Sequence, residues 1–389
     1  MIICESDKCS GCCACYNVCN NQAITMTENE WGYIHPVVDE KRCTHCGACV
    51  RMCPEHYRPN LNVPTECYAM YSPYKEDLIS SSGGAATILG RCIIQKSGVV
   101  FGTVYDKDGT LVYDLSRTEF GLGKFRGSKY VYAYPGTVYR QIQELLFQGI
   151  PCLFVGTPCH VAGLRTFLKK DWSDLYTVDL ICHGTPPMTY LRQHIKNVTC
   201  GRHVSKVAFR GKYNYYFSAY EGDQRIYLKR ANEDTYFSIF MNSLAFRESC
   251  YQCAYAQPQR VGDLTIGDFW GLGTDALGGY PGKTSVILVN TEKGKSMLSW
   301  IQDVAVVEQR TVQEAIQCNH QLSFPTTRPP QREVFLSAYL HGGFSEAVRH
   351  TDIPNKIRKA KLRNILVGIP RYIRSRITQR IIQSFMRQE

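Results

Sequence analysis

Two cysteine runs close to the amino terminus, and a longer remainder in which strands alternate with helices, predict a chain in two parts. The first part is a small α+β domain folded around the cysteines, and the second is an α/β domain on a mixed sheet. The runs are Cys9-Ser-Gly-Cys12-Cys13-Ala-Cys15-Tyr-Asn-Val-Cys19 and Cys43-Thr-His-Cys46-Gly-Ala-Cys49-Val-Arg-Met-Cys53-Pro54. Both carry C-x2-C-x2-C-x3-C spacing.

Three cysteines placed three apart let one tight loop hold three irons of a cubane, while the fourth reaches the other cluster, as in bacterial two-cluster ferredoxins. The amino-terminal α+β domain, residues 1–64, is therefore expected to be ferredoxin-like and to carry two [4Fe-4S] clusters. Cys9, Cys12, Cys15 and Cys53 serve one, and Cys43, Cys46, Cys49 and Cys19 serve the other. A zinc ribbon or a disulfide knot is the bland alternative, but zinc sites rarely use a regular triple with a distant fourth ligand. The first run departs from the pattern in ending Cys19-Asn20, where proline would follow the last cysteine. Pro54, Pro59 and Pro64 punctuate the exit from the domain.

At 389 residues the chain has room for a large second domain with its own core. The start, Met-Ile-Ile-Cys-Glu-Ser-Asp-Lys, lacks the apolar run of a secretory signal, and nineteen cysteines suit a reducing compartment. No stretch approaches the roughly 20 apolar residues of a membrane span. The expectation is a cytoplasmic protein. Its formal charge of +11 is uneven: beyond residue 354 stand Lys356, Arg358, Lys359, Lys361, Arg363, Arg371, Arg374, Arg376, Arg380 and Arg387, against the single acid Glu389. After Pro370, the residues Ile373, Ile377, Ile381 and Phe385 fall on one helical stripe. Residues 350–389 thus read as a basic amphipathic helical tail suited to an anionic membrane surface or an acidic protein, with peripheral attachment at the inner membrane face as one use. A solvated helix docked on its own domain is the plainer reading. Nucleic acid is disfavoured because stacking aromatics are missing there.

The main domain is expected over residues 70–345. Ser80-Ser-Ser-Gly-Gly84 precedes a helix from Ala85 to Gln95, Val99–Tyr105 and Leu111–Leu115 read as strands, and Thr137 is placed to cap a helix reaching Gln148. Cys152–Val155 is a short strand running into Gly156-Thr-Pro-Cys159 and a helix. Tyr176–Ile181 is another, ending at Cys182-His183-Gly184. This alternation implies a largely parallel sheet with ligands outside the carboxyl ends of its strands. Further strands are expected at 204–209, 217–228, 264–267 and 285–290, and a helix at 238–246 delivers Cys250-Tyr-Gln-Cys253.

Cys159, Cys182, Cys250 and Cys253 all fall in loops, and four thiolates suit a third [4Fe-4S] cluster or a zinc ion. Separate buried thiols are the alternative. The other seven cysteines, among them Cys4 and Cys13, read as packing residues. One-electron clusters beside a substrate-sized domain call for a group that also exchanges two electrons, and a flavin does so. Glycine-rich Ser82-Gly83-Gly84, opening a helix, offers backbone N–H groups to a phosphate or flavin edge. The loop containing Lys124, Arg126, Ser128, Lys129 and Tyr130 adds cations for a pyrophosphate. Neither loop is a Rossmann fingerprint.

The ordered set Ser-Ser-Gly-Gly (81–84), Gly-Ser-Lys-Tyr-Val (127–131), Gly-Thr-Pro-Cys (156–159), Asp-Leu-Ile-Cys-His-Gly (179–184), Cys-x2-Cys at 250 and Ile-Gly-Asp-Phe-Trp-Gly (266–271) resembles the coenzyme F420 hydrogenase/dehydrogenase beta-subunit family. The resemblance implies an FAD-containing iron-sulfur oxidoreductase domain behind the fused ferredoxin, with Ser82, Gly83, Gly84, Lys124, Ser128, Lys129, Tyr130 and Thr157 at the cofactor. It also implies a redox partner protein or subunit. The substrate it implies is a small organic or deazaflavin-type molecule, but family members differ in what they reduce, so its identity does not carry over. His183 and Asp268, at strand ends, are candidates for moving protons. The rival reading is an electron-relay subunit, or a recruited partner in a larger complex, with no catalysis of its own.

Overall fold

The computed structural model describes residues 1–74, 77, 81–211 and 215–368. At the amino terminus lie α1 (Ala14–Val18), β1 (Ile24–Glu28), β2 (Ile34–Val38) and α2 (Ala48–Arg51), with β1 and β2 paired antiparallel. Each cysteine run feeds one of the helices through the same backbone pattern. Gly11 and His45, in the middle of the first C-x2-C step, are left-handed, and so are Cys13 and Gly47 just after the second cysteine. A left-handed residue costs non-glycine side chains something, yet Cys13 adopts it. Its place in the repeat is that of Gly47, a turning position.

The main domain follows as β3 (Glu66–Tyr71), α3 (Ala85–Gln95), β4 (Val99–Tyr105), β5 (Leu111–Ser116), α4 (Val138–Phe147), β6 (Cys152–Gly156), α5 (Pro158–Leu168), β7 (Leu175–Leu180) and α6 (Met188–Val198). Then come β8 (Lys206–Arg210), β9 (Tyr215–Glu221), β10 (Gln224–Arg230), α7 (Thr235–Met241), β11 (Leu264–Asp268), β12 (Ser285–Val289), α8 (Glu292–Gln302), β13 (Val306–Arg310), α9 (Val312–Cys318), α10 (Arg332–Arg349) and α11 (Ile353–Gly368).

Eight strands form one sheet in the order β13-β3-β12-β11-β7-β6-β4-β5, and β8 to β10 form a separate three-stranded sheet. Only β4, β6, β7 and β11 run parallel to one another, while β5, β12, β3 and β13 are added antiparallel. The sheet is therefore mixed, not largely parallel. The turn between β4 and β5 is too short for the crossover a parallel pair needs. Alternation places Val99 and Phe101 of β4 and Phe154 of β6 against α4 and α5. Val100 and Leu153 face the other way, toward α3 and α8. Helices thus cover both faces.

Two strands differ from the sequence expectation. The segment 66–71, read as a linker, is β3 and lies inside the sheet between β12 and β13. The other is β13 itself, in a stretch expected to be helical. The expected helix at 238–246 starts earlier and stops at Met241, because Asp234 caps it by accepting from the Phe237 N–H. The apolar stripe from Ile373 to Phe385 lies outside the described residues. No helix among the described residues is long and apolar enough to cross a membrane.

The cysteine-rich domain is tied to the main domain by buried hydrogen bonds. Asn17 donates to the Gly136 carbonyl at 2.7 Å, Tyr132 Oη to the Gly11 carbonyl at 2.6 Å and Arg140 Nε to the Asn17 carbonyl at 2.6 Å.

Candidate functional site

The carboxyl ends of β6, β7 and β11 face a cavity of about 780 Å³, and the docked cysteine-rich domain closes one side of it. Cys9, Cys12, Cys15 and Cys53 line this cavity, so one of the two expected ferredoxin sites points inward. Cys19, Cys43, Cys46 and Cys49 do not line it. Cys46 is exposed and Cys43 half-buried, which puts the second site on the outer face. All nineteen cysteines are unpaired.

Cys159 arrives on the first turn of α5, Cys182 two residues past β7, and Cys250 and Cys253 on the loop beyond α7. All four line the cavity. Burial pushes the Cys159 thiol far up, and its neighbours Cys182, Cys253 and Cys250 add to the effect. Burial likewise carries Cys182 to about 12 and Cys250 to about 11, with Cys253 charge contributing in each case. Four mutually repelling buried thiols are poor acids alone, and a bound cationic centre reverses that balance. Among the described residues, three ligand atoms fall within 4.8 Å of one another at Glu40, Cys43 and His45, and no trio of these four thiols is so crowded. A single tetrahedral zinc with bonds of about 2.3 Å needs sulfurs about 3.8 Å apart.

Two elements hold these loops. Asp179 on β7 is fully buried and accepts from Arg260 Nη2 at 2.7 Å, Thr265 Oγ1 at 2.7 Å and the Gly262 N–H at 2.8 Å. Arg260 in turn donates to the Tyr255 carbonyl at 2.8 Å. This buried pair ties the strand leading to Cys182 to the loop that follows Cys253.

The residues expected at the flavin divide into two groups. Ser82, Gly84, Ser128, Lys129, Tyr130 and Thr157 line the cavity, whereas Gly83 and Lys124 do not. A Cβ on Gly83 would come within 2.2 Å of the Met70 carbonyl oxygen, so that glycine lets α3 approach β3. Lys124 is paired with Asp114 at 2.6 Å, and Arg126 with Asp77 at 2.9 Å. Lys129 Nζ donates to the Phe125 carbonyl at 2.9 Å and to those of Arg126 and Gly127 at 3.2 Å. Ser82 Oγ is engaged with the Thr284 carbonyl at 2.9 Å. Even so, Arg126 Nε, His160 Nε2 and His183 Nε2 are buried without a hydrogen-bond partner, and all three side chains line the cavity. Buried polar atoms rarely stay unsatisfied, so a polar ligand in this cavity fits the residues present.

His183 lines the cavity beside Cys182, and burial holds its imidazole below the ordinary range. The Gln321 side-chain amide donates to its Nδ1 at 2.6 Å. That assignment leaves the ring proton on Nε2, the unpartnered nitrogen. Asp268 also lines the cavity, but Arg210 takes both its oxygens, at 3.0 and 2.6 Å. Arg210 further donates to Tyr130 Oη and the Ser81 carbonyl, both at 2.6 Å. The pair is a fixed part of the wall.

Three features escaped the sequence. Cys4 sits against both Cys9 and Cys53. Arg247 reaches the Cys9 loop from three residues ahead of Cys250. His160, one residue past Cys159, shares its Nδ1 with Tyr113 Oη at 2.9 Å. Each depends on a neighbour remote in the chain, and only the short His160 spacing left a local signal.

Paired cysteine loops docked on a thiol-lined cavity at the edge of a mixed α/β sheet define an iron-sulfur protein of the electron-transfer class. Residues 8–56 match the 4Fe-4S dicluster domain. Residues 151–315 belong to the family described as the carboxyl-terminal region of the coenzyme F420 hydrogenase/dehydrogenase beta subunit, which makes the chain an oxidoreductase-type iron-sulfur protein. Among solved structures, the F420-reducing [NiFe] hydrogenase complex from Methanosarcina barkeri is similar over 68% of this chain and 92% of that chain, at 16% identity and a TM-score of 0.46. No curated protein matches the sequence.

Proposed function

We propose that the chain is an iron-sulfur flavoprotein oxidoreductase that passes electrons between a redox partner protein or subunit and a small organic hydride acceptor or donor. A deazaflavin of the coenzyme F420 type is the substrate class the family suggests. The observation that carries this reading is the single cavity bordered by the inward thiols of the ferredoxin-like domain, by Cys159, Cys182, Cys250 and Cys253, and by the loops at 81–84 and 127–130. Its size falls within the roughly 300–1,000 Å³ range of small-molecule and cofactor sites.

Cys9, Cys12, Cys15 and Cys53 would hold the inner [4Fe-4S] cluster, Cys19, Cys43, Cys46 and Cys49 the outer one, and the four main-domain cysteines a third. The separation of those four thiols favours a cluster over a single zinc. Such clusters supply one-electron transfer, and FAD supplies exchange of one or two electrons with an organic molecule. Asp179 and Arg260 orient the backbone that carries Cys182 and Cys253. The loop backbones at 81–84 and 127–130 bind the flavin, with Thr157 at the turn into α5. Arg210 keeps the Asp268 carboxylate in place on the wall. His183 holds a proton at Nε2, where it can be passed to or taken from a bound substrate. The outer cysteine face is where a partner protein docks.

Domains at 1–64 and about 70–345, and a basic tail beyond 350, follow from this reading, as does a reducing, cytoplasmic setting for nineteen free thiols. The tail's described part, α11, exposes Leu362 and Ile365 among Arg358, Lys359, Lys361 and Arg363, a surface suited to anionic lipid.

Anaerobic reconstitution followed by iron analysis and a flavin spectrum tests the proposal, with coenzyme F420, NAD(P)H and ferredoxin then screened as oxidants or reductants. About twelve irons per chain and bound FAD are expected. Iron without flavin would replace the enzyme reading with a relay subunit. About eight irons with zinc would remove the third cluster but leave the ferredoxin-like domain.

A further inference from the structure

Arg247 is only 3% exposed, yet no carboxylate among the described residues lies within ion-pair distance of it. Its guanidinium donates from Nη1 to the Cys9 carbonyl at 2.9 Å and from Nη2 to the Ile34 carbonyl at 2.5 Å. It is flanked by the rings of Tyr132 at 5.5 Å and Tyr33 at 5.9 Å. Its own backbone N–H donates to the Thr185 carbonyl, on the loop that follows Cys182, at 3.2 Å. The nearby cation Arg332 does not share this isolation, because Glu248 pairs with it at 3.0 Å. A buried guanidinium with only carbonyls and ring faces for company is expensive unless negative charge arrives from elsewhere.

The two candidate thiolate sites on the cavity are the negative charges within reach. A Cβ on Gly11, inside the Cys9–Cys12 loop, would lie 3.0 Å from Arg247 Nη2. The same side chain favours the thiolate forms of both Cys9 and Cys250. It therefore stands between the inward ferredoxin site and the four-cysteine site, and away from the outer one.

We propose that Arg247 is a counter-cation shared by the two inward-facing cluster sites, a positioning residue that raises the reduction potential of both relative to the outer site. This rests on the three-cluster reading above. A cluster held by four thiolates is anionic and gains one further negative charge on reduction, so a fixed neighbouring cation stabilises the reduced form more than the oxidised form. Net charge and hydrogen bonding are among the factors that set such potentials. The cation thereby biases electrons inward, toward the cavity.

The test is potentiometric titration of the full-length, anaerobically reconstituted protein, followed by electron paramagnetic resonance, for wild type, Arg247→Gln and Arg247→Lys, with iron counted in each. Two of the three cluster signals should move to lower potential in Arg247→Gln, less in Arg247→Lys, and the third should stay in place. Wild-type iron content with three unmoved signals would overturn the proposal. Loss of iron from the inner sites in both variants, with the outer site loaded, would also overturn it and leave Arg247 a purely structural clamp. Absence of a third cluster from wild type would instead refute the three-cluster reading on which the proposal stands.

Discussion

Substituting Asp179→Asn removes the charge at the centre of the clamp behind the four-cysteine site while hardly changing side-chain volume. Asp179 accepts from Arg260 at 2.7 and 3.2 Å, from Thr265 Oγ1 at 2.7 Å, and from the N–H groups of Val261 and Gly262 at 3.1 and 2.8 Å. All of these partners are donors, so an asparagine NH2 would face donors wherever it points. Arg260, 2% exposed, would be left as an uncompensated buried cation. Breaking a buried pair in this way costs about 3–5 kcal/mol, a large share of a typical stability of about 5–15 kcal/mol. The damage would centre on β7 and the 255–262 loop, which fix Cys182 and Cys253. Denaturant unfolding of the variant should show that loss, and reconstitution should yield about a third less iron, with the dicluster signals retained. Full iron content, together with an unfolding free energy within about 1 kcal/mol of wild type, would refute the clamp.

Gly163→Ala tests the seam between α5 and the inward cysteine loop. The new Cβ would lie 2.9 Å from both Cys12 Cβ and Tyr139 Oη, so a loss of about 1–3 kcal/mol and a disturbed inner cluster are expected. Gly123→Ala, with nothing within 4 Å, should be silent, and equal behaviour of the two variants would rule out the seam. Burial, reinforced by Lys206, pulls the Lys129 ammonium down to about 7. Between that value and the ordinary lysine range the unfolded chain holds more protons, so stability from this group rises with pH across the window and is lost as pH falls toward 7. Lys129→Met should flatten that slope in unfolding measurements at a series of pH values, and an unchanged slope would assign it to other groups. Deleting residues 355–389 should abolish co-sedimentation with anionic lipid vesicles, to which each cation near the surface contributes about 1 kcal/mol. Binding that persists in the truncated chain would exclude the tail as the anchor.

Local patterns were legible where a few consecutive residues carry the whole physical cause. The helix Ala85–Gln95 and the strand Val99–Tyr105 run as the residue pattern indicates, because helix opening at glycine and two-residue alternation are short-range effects. The segment 66–71 carries no such mark. It becomes a strand only because β12 and β13 supply partners on both sides. The flavin loops were legible as cavity wall, but the partners of their cations were not. Asp77 and Asp114 are distant in sequence or carry no motif, and they occupy charges that composition alone would leave for a phosphate.

The sequence by itself determined the ligand repeat, since C-x2-C-x2-C is a constraint within one loop, and left-handed residues at 11, 13, 45 and 47 repeat the same turn in both copies. It also marked Cys159, Cys182, Cys250 and Cys253 as loop thiols. Tertiary structure alone decided which ferredoxin site faces inward, that Cys4 joins Cys9 and Cys53, and that Arg247 stands between two thiol groups without a carboxylate of its own. These facts follow from docking one domain against another, where burial and hydrogen bonds summed over remote segments choose the neighbours, and no spacing along the chain records that choice.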